Sequence, residues 1–212
     1  MTSTPRFKID RELGLGTTGR VFHAVLLEPF DALPAGASVA VKYLRPELEE
    51  DPRSRRAFED EAEAGLTVRH PGIVNVMAEG EDARGRFLVL RYVTGHTLRE
   101  ILERDKSPLP EPIVRGIARD VAGGLAALHD AGYLHGDIKP ENIRLDAEGN
   151  AVLLDLGFDG AVGRIQHDGS AIEHAPVKQR PRHGVEHTDA AHVQNGLLAQ
   201  KYLAGCVVDI GQ

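Results

Sequence analysis

The stretch His135-Gly136-Asp137-Ile138-Lys139-Pro140-Glu141-Asn142, followed thirteen residues after Asn142 by Asp155-Leu156-Gly157, decides how this chain is read. Between the two lie short apolar runs, Ile143 to Leu145 and Val152 to Leu154, each of a length suited to a short strand. Two carboxylates, an amide and a lysine at those intervals are the groups that hold a hard cation, a triphosphate and an attacking hydroxyl. Phosphoryl transfer asks for positioning and charge neutralisation more than for a strong base, so Asp137, Lys139, Asn142 and Asp155 are a sufficient inventory. Any one of them alone is explained as well by capping or turn formation. The four together are not.

Upstream, Phe7 to Leu13, Val21 to Leu27 and Ser38 to Tyr43 read as strands separated by turn segments, an antiparallel start. Asp51-Pro52 supplies an N-cap and a first-turn proline, and Phe58, Glu61, Ala62, Gly65, Leu66 and Arg69 then recur at helical spacing, predicting a helix over 52–69. Two more strands are expected at Ile73 to Ala78 and Arg86 to Val93. Gly14, Gly16 and Gly19 fall between the first two strands. Because Val21 continues as a strand, they suit a hairpin lying over a triphosphate; a dinucleotide fingerprint would need a helix there. Val39-Ala40-Val41-Lys42 sets one lysine on an otherwise apolar strand. Glu61 lies on the buried stripe of the following helix, where a carboxylate is costly unless paired, and Lys42 is its natural partner. Gly65, on the same stripe, costs about 1 kcal/mol relative to alanine and is expected to leave a packing gap, holding the helix loosely.

Downstream, Pro112 to Ala131 carries Ile113, Ile117, Val121, Leu125 and Leu128 on one face, and predicts a longer helix that begins a second, more helical lobe. The chain has 212 residues, 42% of them hydrophobic, enough for one core or two small lobes sharing a cleft. A net charge of -7 argues against a polyanion binder, so no nucleic-acid partner is expected, and the Arg53 to Arg56 cluster reads as a solvated helix face. One cysteine, Cys206, rules out an internal disulfide and suits a reducing compartment. No apolar run approaches a membrane span and residues 1–10 lack the apolar core of a signal peptide, so the expectation is a cytoplasmic protein with no membrane contact. The oligomeric state is not legible.

Read together, Gly14, Gly16, Gly19 and Val21, the Val39-Ala40-Val41-Lys42 strand, Glu61 with His70-Pro71, Leu90-Arg91-Tyr92-Val93, the His135 to Asn142 segment and Asp155-Leu156-Gly157 make the chain resemble the eukaryotic-type protein kinase family, in particular its bacterial serine/threonine members. The resemblance covers roughly residues 7–160. It implies an α+β, two-lobed fold: a five-stranded antiparallel lobe with one helix over 1–93, a partial helical lobe over 94–163, and an atypical tail over 164–212. It also implies ATP and Mg2+ as cofactors and a protein substrate with a Ser or Thr acceptor, for which Lys139-Pro140-Glu141-Asn142 argues over Tyr. In the roles the family assigns, Lys42 anchors the α and β phosphates and Glu61 orients it, Asp137 accepts the hydroxyl proton, Lys139 neutralises the moving phosphoryl group, and Asn142 and Asp155 bind magnesium. Val21 and Ala40 line the base pocket, Leu90 holds the gatekeeper position, and backbone groups of Arg91 and Val93 meet the adenine.

Three features depart from that pattern. Gly136 replaces an arginine common in the family, so loop phosphorylation is not expected to be the switch. His135-Gly136-Asp137 is also the form found in aminoglycoside- and choline-kinase-like phosphotransferases, the alternative with a small-molecule substrate. Residues 164–212 hold five of the ten histidines and no Ala-Pro-Glu motif, which implies a truncated second lobe and, as a further alternative, a catalytically impaired nucleotide-binding fragment. His183, His187 and His192 raise a weaker metal-site reading.

Overall fold

The computed structural model describes residues 4–156 apart from Thr17 and Lys106; the expected tail over 164–212, with the metal-site reading of His183, His187 and His192, and Gly157 lie outside the described residues. Strands β1 (Phe7–Leu15), β2 (Gly19–Leu26), β3 (Ser38–Leu44), β4 (Val76–Asp82) and β5 (Gly85–Arg91) form one antiparallel sheet in the order β1-β2-β3-β5-β4. Strand β3 sits in the middle. Its run Ser38 to Leu44 is buried from Val39 onward because both faces are covered. Val39, Val41 and Tyr43 pack outward with Met77, Phe87 and Val89, while Ala40 and Leu44 pack with Leu88, Leu90 and helix residues Phe58 and Ala62.

Register then decides which side chains meet. Val21 lies opposite Lys42 and Lys42 opposite Leu88, while Ala40 lies opposite Leu90. Directly opposed residues share a face of the sheet, so Val21, Ala40, Lys42 and Leu90 form one patch.

Helix α1 (Pro52–Thr67) follows the predicted range closely. Asp51 caps it, its carboxylate accepting from the Ser54 N–H at 2.9 Å, and Ala57, Phe58, Glu61, Ala62, Ala64 and Gly65 form its buried stripe. The expected gap at Gly65 is not there. A Cβ at that position would overlap Val76 Cγ2 and lie 2.9 Å from Val76 Cβ, so the glycine lets α1 approach β4 and the helix is held closely. Gly65→Ala is therefore expected to lower stability by about 1–3 kcal/mol through overpacking, despite alanine's better helix propensity, as a fall in Tm by circular dichroism.

The strand expected to start at Ile73 starts at Val76. Ile73 is fully buried and makes a parallel bridge to Leu153 instead: the Leu153 N–H donates to Gly72 O and the Val74 N–H to Leu153 O, both at 2.9 Å. This segment sews the two lobes together. The second lobe contains β6 (His96–Thr97), α2 (Leu98–Arg104), α3 (Glu111–Asp130), β7 (Ile143–Leu145) and β8 (Ala151–Leu153), with a three-stranded sheet in the order β6-β7-β8. Ile117 of α3 packs with Ile101, Ile143, Leu145 and Leu153, and Leu128 with Ile73, Tyr133 and Leu156. Among the described residues the result is the expected α+β, two-lobed arrangement with an incomplete helical lobe. Among the described residues, no helix is long and apolar enough to cross a membrane.

Candidate active site

The cleft between the lobes encloses about 300 Å³. Its apolar walls come from Leu13, Val21, Ala40, Val74, Leu90 and Leu154; Lys42, Glu61, Asn142 and Asp155 stand at its polar end. Gly14 and Gly16 border it as well. Of the three glycines expected between the first two strands only Gly16 lies there, Gly14 belonging to β1 and Gly19 opening β2, and they differ in what they do. Gly16 N–H donates to Gly19 O at 2.7 Å, closing the turn, and a Cβ on Gly19 would lie 2.8 Å from both Lys42 Cγ and Tyr43 O, so only glycine lets β2 pass this close to Lys42. At Gly14 a Cβ meets nothing within 4 Å.

Lys42 Nζ donates to both Glu61 oxygens, at 2.9 and 2.7 Å, and to Asp155 Oδ1. Lys42 and Glu61 are 2% and 3% exposed, so water does little for either charge. One ammonium thus faces two carboxylates. Burial works against the charge on Lys42, yet Glu61 and Asp155 outweigh it and hold the ammonium above its ordinary range. Burial pushes Glu61 up to about 7, with Lys42 opposing and the Asp155 charge adding to the rise. Burial also disfavours the Asp155 carboxylate, but Lys42 overrides it and leaves the group below its usual range. Asp155 holds a left-handed backbone, φ 52°, the kind of strain a surrounding site must enforce in a non-glycine residue.

The segment from His135 to Asn142 folds as a hydrogen-bonded loop. Asp137 Oδ2 accepts from Lys139 Nζ at 2.5 Å and from Asn142 Nδ2 at 3.0 Å, and Asn142 Nδ2 also donates to Asp137 O at 2.9 Å. The amide nitrogen being engaged, the amide oxygen is the ligand atom Asn142 has to offer. His135 is buried; its Nδ1 accepts from the Asp137 N–H at 3.4 Å, and Nε2 has no partner among the described residues. Burial lowers its pKa, which favours the neutral ring. Gly136 has φ 77°, so the residue read in the sequence as a missing charge is also a backbone requirement. Among the described residues no three His, Cys, Asp or Glu groups converge on a metal position. Asn142 and Asp155 supply two oxygen donors, which fits a cation that draws its remaining ligands from phosphate and water.

Sequence reasoning missed Arg144. It lines the cleft, and its Nη1 donates to Gly95 O at 3.0 Å and Val93 O at 3.4 Å, tying β7 to the segment after β5. The signal was present: Ile143 and Leu145 are buried on one side of β7, and period-2 alternation sends Arg144 to the other. Of the two residues expected to meet a base through the backbone, Arg91 already gives its N–H to Asn75 O at 3.0 Å, and the Val93 carbonyl takes Arg144.

The protein kinase domain family model matches residues 7–172. The serine/threonine-protein kinase PknL of Mycobacterium tuberculosis is 30% identical over 206 residues, 94% of this chain and 49% of its own length. The serine/threonine-protein kinase PkaB of Streptomyces coelicolor is 38% identical over 144 residues, 68% of this chain and 32% of its own. The crystal structure of the M. tuberculosis PknI kinase domain superposes with a TM-score of 0.59 at 30% identity, covering 71% of this chain and 58% of that one. The chain spans half or less of the length of these curated relatives.

Proposed function

The chain belongs to the protein kinase domain family, and from that membership we propose that it carries out ATP- and magnesium-dependent phosphoryl transfer to Ser or Thr of a protein substrate. The observation that carries the reading is Lys42, buried between Glu61 and Asp155 at the end of an apolar cleft that also receives Asn142. Glu61 holds the ammonium in place, and the N–H now given to Asp155 is the one it can turn to phosphate oxygens when nucleotide enters.

In the proposed mechanism residues 1–93 and 94–163 supply the two walls. The adenine lies among Val21, Ala40 and Leu90, its edge against the Arg91 carbonyl and the Val93 N–H. Gly14, Gly16 and Gly19 allow the hairpin to lie over the phosphates, and Lys42, oriented by Glu61, holds the α and β groups. Asn142 and Asp155 would hold magnesium, which would offset phosphate charge. Asp137 accepts the proton of the acceptor hydroxyl as its oxygen bonds to the γ-phosphorus. The bond to the bridging oxygen breaks and ADP leaves, while Lys139 balances the charge on the group in transit. The setting is cytoplasmic.

Incubating the 212-residue chain with γ-labelled ATP, magnesium and a panel of protein acceptors, kanamycin and choline tests the proposal. The expected result is EDTA-sensitive label in phosphoserine or phosphothreonine. Label confined to kanamycin or choline would establish the small-molecule alternative, and ATP binding without any transfer the catalytically impaired one.

A further inference from the structure

A second cavity, of about 390 Å³, opens on the side of the small lobe away from Lys42. Leu33, Pro71 and Met77 give it an apolar wall, and Arg69 and Arg91 stand at it as cations, with Asp31 the carboxylate among its lining residues. Some arginines on this surface find acids on neighbouring elements: Arg20 reaches Glu12, Arg86 reaches Glu59 and Arg99 reaches Glu141. Arg69 and Arg91 have no such partner among the described residues, and neither reaches Asp31 within salt-bridge distance. Both are exposed. On a chain of net charge -7, what sets these two guanidinium groups apart is that both flank one apolar hollow.

Guanidinium groups bind carboxylates bidentately and are weakly hydrated, so they suit a ligand that also buries apolar surface. We propose that this cavity binds an acidic peptide segment of a partner protein, with Arg69 and Arg91 taking carboxylates and Leu33, Pro71 and Met77 receiving an apolar side chain between them. Charge complementarity selects the occupant. Residues 164–212 of this chain carry as many basic as acidic residues and offer no excess of negative charge, which points to a separate molecule. The site has a route to the cleft: Arg91 borders both cavities, and its N–H is fixed by Asn75, which lines this one. A segment gripping Arg91 from behind therefore bears on the strand whose end meets the nucleotide pocket.

The test is direct binding, without nucleotide, of a fluorescein-labelled Glu-Leu-Glu-Glu-Leu peptide to the full chain, read by anisotropy. Its Gln-Leu-Gln-Gln-Leu counterpart and inorganic phosphate serve as comparators. The expected result is saturable binding of the acidic peptide alone, weakened at least about tenfold by Arg69→Glu and by raising salt from about 0.05 to about 0.5 M. Arg69 is exposed, so the variant should keep the wild-type melting curve. No binding, equal binding to Arg69→Glu, equal binding of the glutamine peptide, or an Arg69-dependent site for phosphate but not peptide would each overturn the proposal. Because no phosphoryl transfer is measured, failure here leaves the kinase reading standing, and the converse also holds.

Discussion

Lys42→Met is expected to destabilise the nucleotide-free protein by about 3–5 kcal/mol and to slow phosphoryl transfer by roughly two to three orders of magnitude. Methionine matches the length of the lysine stem, so the loss is one of charge. With the ammonium gone, Glu61 keeps its burial and faces Asp155 with nothing between them. The pH dependence distinguishes this from a packing defect. The Glu61 carboxyl, near 7 in the fold and about 4.5 when exposed, gives stability that is fully present below about 4.5 and lost as pH rises through about 7. Without Lys42 its folded pKa rises further, so the same loss becomes larger and extends to higher pH. Urea unfolding at about pH 5 and pH 8 should therefore show a smaller deficit at the lower pH, and Lys42→Met/Glu61→Leu should recover part of it. An equal deficit at both values would mean that the pair is not what Lys42 contributes.

The parts of the site legible from residues alone were those where one charge breaks an apolar period. Lys42 stands out on β3, and Glu61 on α1, because burial makes an unpaired charge untenable and so implies a partner. What depended on a distant contact was not legible. Gly65 reads as a hole or as a close approach according to where Val76 sits, and nothing near Gly65 says which. Ile73 has the apolar character of a strand residue, yet that character does not name its partner, and the bridge went to Leu153 in the other lobe. Other misses had a local signal. Thr97 and Glu100 form a capping box, with bonds of 3.1 and 2.7 Å, which was the written start of the α2 turn; Arg144 was marked by its buried neighbours. A sequence reading weighted toward motifs passes over such residues, because Arg144 serves the cleft through the backbone of Val93 and Gly95.

Asp137→Asn separates turnover from binding more cleanly than any change at Lys42. The asparagine is isosteric and retains one side-chain oxygen to accept from Lys139 and Asn142, and the position is about one-third exposed, so folding should change by no more than about 1 kcal/mol. Asp137 does not line the 300 Å³ cleft, so ATP affinity should stay within about twofold of wild type. What asparagine cannot do is accept the hydroxyl proton. Transfer to protein is expected to fall by about 10²–10⁴-fold, with the whole effect in kcat, measured as initial rates of label incorporation alongside equilibrium ATP binding. The combination matters because the two variants fail differently. Lys42→Met should lose stability and transfer together, whereas Asp137→Asn should lose transfer alone. Incorporation that survives Asp137→Asn at an undiminished rate would remove the carboxylate from the mechanism and leave the cleft as a nucleotide-binding site only.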